Sequence, residues 1–355
     1  MSTPDKKVLW WGRSDVDYSR NRIVRQLFTS LGWEIIYFSP RLSLLGDFEA
    51  YLRRLPLVDL VWLPCFRQRD VRAACRWANK RKVPLVFDPL ISAYDKQVWE
   101  RDKFSEDSKQ ANKLLKWERS LFQSVDYLVA DTELHAKFYA EKMQIDTAKI
   151  GVLPVGAEES LFMLYDDVGL NKPLHILFYG SYIALQGPEI IAEAIQLYDG
   201  PNVEWYLIGD GPLRKKVQQT LQGLDCVHFI DWVPYVDLAT KIAQADICLG
   251  VFGPTEKTQR VIPNKVYQAI ACGRPVITSE SDAYPLRLRE QNNSGLFFVP
   301  ANDAAALANK IAELAEQPEL VLLSRKNARH SYQQYFSNAV LKASLLSILR
   351  QVDHL

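Results

Sequence analysis

The sequence has few cysteines, almost no net charge and no long apolar run, and each absence excludes a class of protein. Its 355 residues contain 5 cysteines, which are scattered too widely for a disulfide framework or a zinc site. No apolar run approaches the roughly 18 residues of a membrane-spanning helix, and the amino terminus lacks the apolar stretch of a signal peptide. We therefore expect a cytoplasmic protein, which could still dock at the inner face of a membrane.

The charge balance also argues against a polyanionic partner. Lysine and arginine total 43 against 42 acidic residues, so the net charge is +1 and no nucleic-acid partner is expected. A composition of 48% hydrophobic and 24% charged residues is that of a globular protein, which excludes disorder. The length predicts two domains.

Short β-branched or aromatic runs alternate with segments of helical period, which predicts parallel sheets wrapped by helices. Strands are expected at 7–12, 33–38, 58–64, 83–88, 126–131, 150–154, 174–179, 203–208, 227–230, 246–251, 275–278 and 296–299. Two helical tails are expected at 302–316 and 319–353. The pattern breaks at 154–173, which predicts a linker.

These features predict an α/β fold with two Rossmann-like, doubly wound domains that face each other across a cleft. The expected amino-terminal domain is 1–165 and the expected carboxyl-terminal domain is 166–335. A final helix at 336–355 is predicted to cross back to the first domain.

Three strand-to-helix turns in the second half combine glycine with proline. They are Gly180–Pro188, Gly209–Pro212 and the loop that ends at Pro263. Glycine lets the backbone approach a ligand, and proline suits the first position of a helix, so free N–H groups can point at an anion. Any one such turn could merely separate a strand from the next helix, but three of them on one sheet predict an anion site.

The third turn carries a basic cluster of Lys257, Arg260 and Lys265. Asn264 and Gln268 follow on the first turns of the same predicted helix. Cations beside a helix amino terminus suit a diphosphate, because bidentate arginine or point-charge lysine can neutralise it.

The second half resembles the retaining group 1 glycosyltransferases (glycosyltransferase family 4), which have the GT-B fold. The matching segments are Phe178–Gly187, Leu207–Pro212, Phe229–Pro234, Ala245–Leu249, Ile270–Ile277 and Ser294–Pro300. The first half resembles the family more loosely, through Val129–His135 and Val152–Gly156. The resemblance thus spans nearly all of the second half.

Two departures indicate a divergent subgroup. The family usually has arginine and lysine on the donor diphosphate where this sequence has Ser181 and Gln186. It also usually has two glutamates, the second on the ribose, where this sequence has Arg260 and Gln268. Gln268 can still hydrogen-bond ribose hydroxyls, and the basic cluster of the third turn can replace the missing phosphate charge.

The resemblance implies a hexosyltransferase-type, metal-independent enzyme that uses a sugar nucleotide donor and no cofactor. The sugar would pass with retention of anomeric configuration to a glycan, lipid-linked or small-molecule acceptor. Fixed positive charge would stabilise the leaving diphosphate. Expected donor-binding residues are Gly180, Ser181, Gln186, Gly187, Gly209, Gly211, Trp232, Val233, Lys257, Asn264 and Gln268. Expected catalytic residues are Asp88, Arg260 and Lys265.

The acceptor is expected on the first domain, at two loops that follow strands. The candidate residues are Arg13, Asp15, Tyr18, Arg20, Ser92 and Asp95. Asp88 stands at a strand end, where it could accept a proton or hold the donor sugar, or else simply cap the turn before Pro89. Asp15 and Asp17 form no expected metal site, and His135 is predicted to lie on a helix surface.

Arg69, Arg72, Arg76 and Lys80 share one face of a predicted helix. This is either a solvated face or a contact for anionic lipid. For the whole chain, glycan synthesis by sugar transfer is the leading hypothesis. The alternatives are a non-catalytic sugar nucleotide-binding subunit and a sugar nucleotide epimerase on the same fold.

Overall fold

The computed structural model describes residues 6–101, 103–164 and 169–354 and contains two compact units. Unit 1 comprises the residues up to Val155 together with those from Asn338 onward, and unit 2 is Gly156–Ser337. The boundary predicted at residues 165 and 166 lies outside the described residues. Phe162 is buried against Tyr235 in unit 2, and the Ala157 carbonyl accepts a hydrogen bond from Tyr332, so the segment after Val155 packs with unit 2.

Each unit contains one parallel sheet of six strands. The strands are β1 (Lys7–Trp11), β2 (Glu34–Phe38), β3 (Leu60–Leu63), β4 (Leu85–Phe87), β5 (Tyr127–Ala130), β6 (Ile150–Val152), β7 (Leu174–Tyr179), β8 (Val203–Ile208), β9 (Val227–Ile230), β10 (Ile247–Leu249), β11 (Val276–Ser279) and β12 (Leu296–Val299). The order is β2-β1-β3-β4-β5-β6 in unit 1 and β12-β11-β10-β7-β8-β9 in unit 2. Both orders are doubly wound.

Helices connect the strands and cover the sheets. They are α1 (Ser19–Ser30), α2 (Gly46–Leu52), α3 (Val71–Arg81), α4 (Ala93–Asp95), α5 (Lys109–Phe122), α6 (Glu133–Met143), α7 (Pro188–Leu197), α8 (Arg214–Thr220), α9 (Tyr235–Gln244), α10 (Asn264–Ala271), α11 (Leu286–Glu290), α12 (Ala304–Glu316), α13 (Pro318–Tyr335) and α14 (Asn338–Asp353). In the described residues no helix has the length and apolarity needed to cross a membrane.

The carboxyl-terminal tail is two helices and not the continuous helical run predicted over 319–353, and α14 lies within the final helix that was predicted at 336–355. The helix breaks after Tyr335 because Phe336 turns inward and packs edge-on against Tyr267, with ring centroids 4.9 Å apart. The second part, α14, belongs to unit 1 and buries Leu341, Leu345 and Ile348 in the core that lies against β1 and α1. A side chain at Gly151 would come within 2.6 Å of Ile348, so a glycine in β6 lets α14 approach the sheet.

Candidate functional site

The strand order of the unit 2 sheet reverses between β7 and β10, which pair with each other. Doubly wound sheets bind ligands at the carboxyl ends of the strands beside such a switch point. The loop after β7 leads into α7, and the loop after β10 leads into α10. These two loops contain two of the three glycine-proline turns that the sequence singled out.

Glycines bring the backbone segments at this edge close together. Gly180 and Gly209 have positive φ angles of 144° and 122°. A side chain at Gly209 would overlap the Gly180 carbonyl oxygen and come within 3.3 Å of the Trp232 ring. The ends of β7 and β8 and the Trp232 ring therefore meet at one place, and Trp232 leaves 65% of its surface exposed beside it.

The loop after β7 also packs closely on the loop after β10. A side chain at Gly187 would come within 2.8 Å of the Gly253 backbone nitrogen, and Gly253 donates a 3.3 Å hydrogen bond to the Leu185 carbonyl. Gly187 is the N-cap of α7, with Pro188 at the first helical position. Sequence reasoning missed Gly253, although the Gly253-Pro254 pair is the same punctuation signal that marked the other turns.

Lys265, in the first turn of α10, places a buried ammonium group at the centre of this edge. Its side chain is 6% exposed, and Nζ lies 4.0 Å from the centroid of the Phe178 ring. A side chain at Gly180 would come within 3.2 Å of Lys265 Nζ and 3.6 Å of Gln186 Oε1. The fold thus brings together the predicted residues Gly180, Gln186 and Lys265, and it adds Phe178, which sequence reasoning missed because it is part of a strand.

The surroundings of Lys265 leave its charge without a balancing anion. Within the described part of the chain, neither Lys265 Nζ nor Gln186 Oε1 has a hydrogen-bond partner. Burial lowers the pKa of Lys265 well below its usual value, and Cys248 offsets only part of this effect. A buried cation with no partner is costly, and an anion placed beside Nζ would relieve that cost.

Four other predicted donor residues lie in the turns after β8 and β9 and in α10. A side chain at Gly211 would come within 2.7 Å of the Tyr182 nitrogen, so the turn after β8 packs on the residue that follows Ser181. Gln268 is buried in α10, whereas Asn264 and Val233 are half-buried. Their contacts with a nucleotide stay predictions.

The two cations of the preceding loop occupy a 3₁₀ turn, Glu256–Gln259, and the residue after it. Lys257 is 2% exposed, and Arg260 forms a 3.3 Å ion pair with Glu256. Ser281 holds the turn by donating a 2.9 Å hydrogen bond to the Gln259 carbonyl. Of the predicted basic cluster, Lys265 is therefore the member whose contacts place it beside Gly180.

In unit 1, Asp88 forms a buried ion pair with Arg20. Arg20 Nε lies 2.8 Å from Asp88 Oδ2, and Arg20 Nη1 donates 2.8 Å hydrogen bonds to the Leu153 and Pro154 carbonyls. Both side chains are almost completely buried. Burial raises the pKa of the Asp88 carboxyl, and Arg20 offsets part of that rise. These contacts give Arg20 a structural role, while the catalytic role of Asp88 stays a prediction.

Ser92 and Asp95 are also buried, at the start of α4. Ser92 accepts a 3.1 Å hydrogen bond from the Asp95 nitrogen and donates a 2.6 Å hydrogen bond to Glu118. Glu118 accepts further hydrogen bonds from the Ala93 and Tyr94 nitrogens, 2.5 and 2.9 Å long. Sequence reasoning missed Glu118, which fixes this helix start, and acceptor binding by Ser92 and Asp95 stays a prediction.

The remaining acceptor candidates lie on the loop after β1, beside the switch point of the unit 1 sheet between β1 and β3. Arg13 and Asp15 are exposed. Tyr18 packs edge-on against Phe66, with ring centroids 5.1 Å apart. Tyr18 is half-buried. Acceptor binding by these three residues stays a prediction.

The prediction that His135 lies on a helix surface is wrong. His135 is fully buried at the start of α6, and its Nδ1 lies 2.6 Å from Asp131 Oδ1. The helix begins directly after β5, so its first turn faces the interior. Thr132 caps it by accepting a 3.1 Å hydrogen bond from the His135 nitrogen.

The match to a known protein family lies within unit 2. Residues 173–317 match the model of the family described as glycosyl transferases group 1. The amylovoran biosynthesis glycosyltransferase AmsK of Erwinia amylovora is 28% identical over 210 residues, which are 58% of this chain and 51% of AmsK. The matched part of the chain thus spans about half the length of AmsK.

Solved structures resemble the whole chain. HepE of Anabaena in complex with UDP superposes with a TM-score of 0.72 at 14% identity, over 97% of this chain and 99% of HepE. Sucrose-phosphate synthase of Thermosynechococcus elongatus gives a TM-score of 0.75 at 18% identity, over 98% of this chain and 99% of the enzyme. These similarities confirm the predicted GT-B fold of two parallel sheets with flanking helices.

Proposed function

We propose that the chain is a glycosyltransferase that binds a nucleoside diphosphate sugar at the switch point of unit 2. The observation that carries this proposal is the buried ammonium of Lys265, which lies without a hydrogen-bond partner among the described residues between Gly180 and the Phe178 ring. A diphosphate would supply the missing anion, and the positive end of α10 would add to the attraction. The match of residues 173–317 to group 1 glycosyltransferases supports this assignment.

The HepE complex supports UDP as the first nucleotide to test, because HepE shares the fold and holds UDP. In the proposed site, the nucleoside base would lie against the exposed Trp232 ring, beside Gly209. Gln268 would hydrogen-bond the ribose, and Lys265 would stabilise the charge that develops on the leaving diphosphate.

The finer features of the reaction belong to the same proposal. We propose retention of anomeric configuration, a hexose as the transferred sugar, no metal requirement and an acceptor bound by unit 1 near Arg13, Asp15 and Tyr18. The printed name of AmsK, an amylovoran biosynthesis glycosyltransferase, supports a role in making a polysaccharide or another glycoconjugate. A cytoplasmic location is part of this proposal too.

The test is to incubate the full chain with labelled UDP, GDP, ADP and TDP sugars, with and without EDTA, and to measure release of the nucleotide. Nucleotide release that EDTA does not reduce, and an anomeric product of unchanged configuration by NMR, would support the proposal. Isothermal titration of the same four donors without detectable binding would overturn it.

Donor binding without turnover, across a broad panel of acceptors, would favour a non-catalytic sugar nucleotide-binding subunit instead. The observation that favours this second candidate is the departure at Ser181 and Gln186, where the family resemblance leads us to expect cationic side chains.

A further inference from the structure

The segment Leu42–Leu57 of unit 1 presents an apolar stripe to solvent. Leu44, Leu45, Phe48, Tyr51 and Leu52 recur at helical spacing across the 3₁₀ turn Ser43–Leu45 and α2, and each is between 56% and 64% exposed. Large apolar side chains normally face the core, so an exposed stripe of this kind indicates a contact surface.

The inward face of the same helix explains why the stripe points outward. Gly46 and Ala50 are the buried residues of α2. A side chain at Gly46 would come within 3.1 Å of the Trp11 ring and 3.2 Å of Pro40. Only small residues fit against this part of unit 1, and the large apolar residues therefore lie on the opposite face.

Polar contacts hold the stripe in place. Arg76 of α3 donates hydrogen bonds of 2.8 and 2.6 Å to Asp47 and one of 2.6 Å to the Leu44 carbonyl. Glu49 accepts a 2.7 Å hydrogen bond from the Arg41 nitrogen. The apolar side chains thus project from a segment that Arg76 ties to α3.

Cations surround the stripe. Between residues 41 and 82 the sequence has ten basic and four acidic residues. Arg41, Arg53, Arg69 and Arg72 are exposed, and Lys80 Nζ lies 5.2 Å from the Tyr51 ring centroid. Two of the acidic residues, Asp47 and Glu49, are engaged by Arg76 and Arg53.

A groove of about 670 Å³ runs beside the stripe. Leu42, Leu44, Leu45 and Trp117 provide its apolar lining, and Arg13, Arg69 and Arg72 contribute cations. A groove lined by both apolar and cationic side chains matches the chemistry of an anionic lipid, which has an apolar acyl chain and an anionic headgroup.

We propose that this face docks on the surface of an anionic phospholipid bilayer, with Leu44, Phe48 and Leu52 inserted at the headgroup boundary and Arg69 and Arg72 on the phosphates. The charge complementarity favours this occupant over an apolar protein partner. The inference does not depend on the proposed donor site, because all its residues belong to unit 1. The groove is also lined by Arg13, which the proposed acceptor site shares.

The test is flotation of the full chain with vesicles of phosphatidylglycerol and phosphatidylcholine, or of phosphatidylcholine alone. We expect binding to the anionic vesicles that weakens at high salt. Leu44→Ser with Phe48→Ser should reduce binding tenfold or more, and each of Arg69→Gln and Arg72→Gln should reduce it about fivefold. Arg76 is left unchanged, since its pairing with Asp47 positions the helix.

Matched controls are the exposed pairs Leu322→Ser with Leu323→Ser and Lys215→Gln with Lys326→Gln in unit 2, which should leave flotation unchanged. Every variant should keep the UDP affinity and melting temperature of the wild type, which separates docking from donor binding and from folding. Absence of flotation by the wild type would overturn the proposal. Equal flotation of the wild type and of the Leu44→Ser, Phe48→Ser variant would also overturn it. A wild-type dimer that dissociates in this variant would overturn it too, because the face would then bind a second copy of the chain.

Discussion

Lys265→Met separates the two consequences of a buried, unpartnered ammonium. Methionine keeps an unbranched side chain over the Phe178 ring and removes the charge that lies 4.0 Å from its centroid. If Lys265 binds the donor diphosphate, the substitution weakens nucleotide binding. If its buried charge destabilises the ligand-free protein, the same substitution leaves the fold as stable as before or makes it more stable.

The expected loss of affinity follows from the contact that is removed. A hydrogen bond to a charged group contributes about 1.5–3 kcal/mol, which corresponds to a roughly 10- to 150-fold higher Kd for UDP. Stability should not fall, because Lys265 Nζ has no hydrogen-bond partner in the described chain that the substitution could break. The melting temperature is therefore expected to be unchanged or higher.

Isothermal titration with UDP and thermal unfolding without ligand measure the two effects. Lys215→Met, an exposed lysine of α8 in the same unit, is the matched control and should change neither quantity. A wild-type Kd in Lys265→Met would refute the role of Lys265 in binding. A lower melting temperature would show instead that the lysine stabilises the free protein.

Three further predictions follow from the same contacts. Burial lowers the pKa of Lys265, and a bound diphosphate would raise it, so UDP binding should take up protons. The affinity for UDP should therefore fall as pH rises through the pKa that Lys265 has in the complex. Titration in buffers of different ionisation enthalpy measures the proton uptake, and equal binding heats in all buffers would contradict it. Trp232→Ala should weaken UDP binding about fivefold or more without lowering the melting temperature, because the ring is 65% exposed; unchanged affinity would exclude stacking on the base. Asp88→Ala should lower the free energy of unfolding by about 3–5 kcal/mol, since it leaves buried Arg20 without its carboxylate partner. Asp17→Ala removes an exposed pair and should lower it by under about 1 kcal/mol. Denaturant unfolding measures both values, and equal losses of unfolding free energy would contradict the argument.

The strands could be predicted because each is a short apolar run between turn residues. The predicted bounds of β7, β8, β9 and β12 are those observed, since glycine, proline, asparagine or aspartate directly flanks each run at one or both ends. The continuous helical run predicted over 319–353 is wrong, because the apolar periodicity continues through Phe336 and its contact with Tyr267 decides where α13 stops.

The glycine turns of unit 2 were easier to predict than the buried polar side chains of unit 1, for a physical reason. Glycine at a tight turn leaves a signal in the sequence, and the turn with Gly180 and Gly187 packs on both the turn with Gly209 and the loop after β10. Burial of a polar side chain leaves no comparable signal. Arg20 was expected to contact an acceptor and His135 to lie on a helix surface. Arg20 instead pairs with Asp88, 68 residues away, and His135 with Asp131, four residues before it.

The central claim is that the diphosphate of a sugar nucleotide binds at the switch point of unit 2. A crystal structure of the full chain with UDP tests it most directly. We predict a diphosphate oxygen about 3 Å from Lys265 Nζ, beside Gly180, with the base against Trp232. UDP bound elsewhere, for example in the pocket of about 490 Å³ lined by His175 and Tyr206, would contradict the claim.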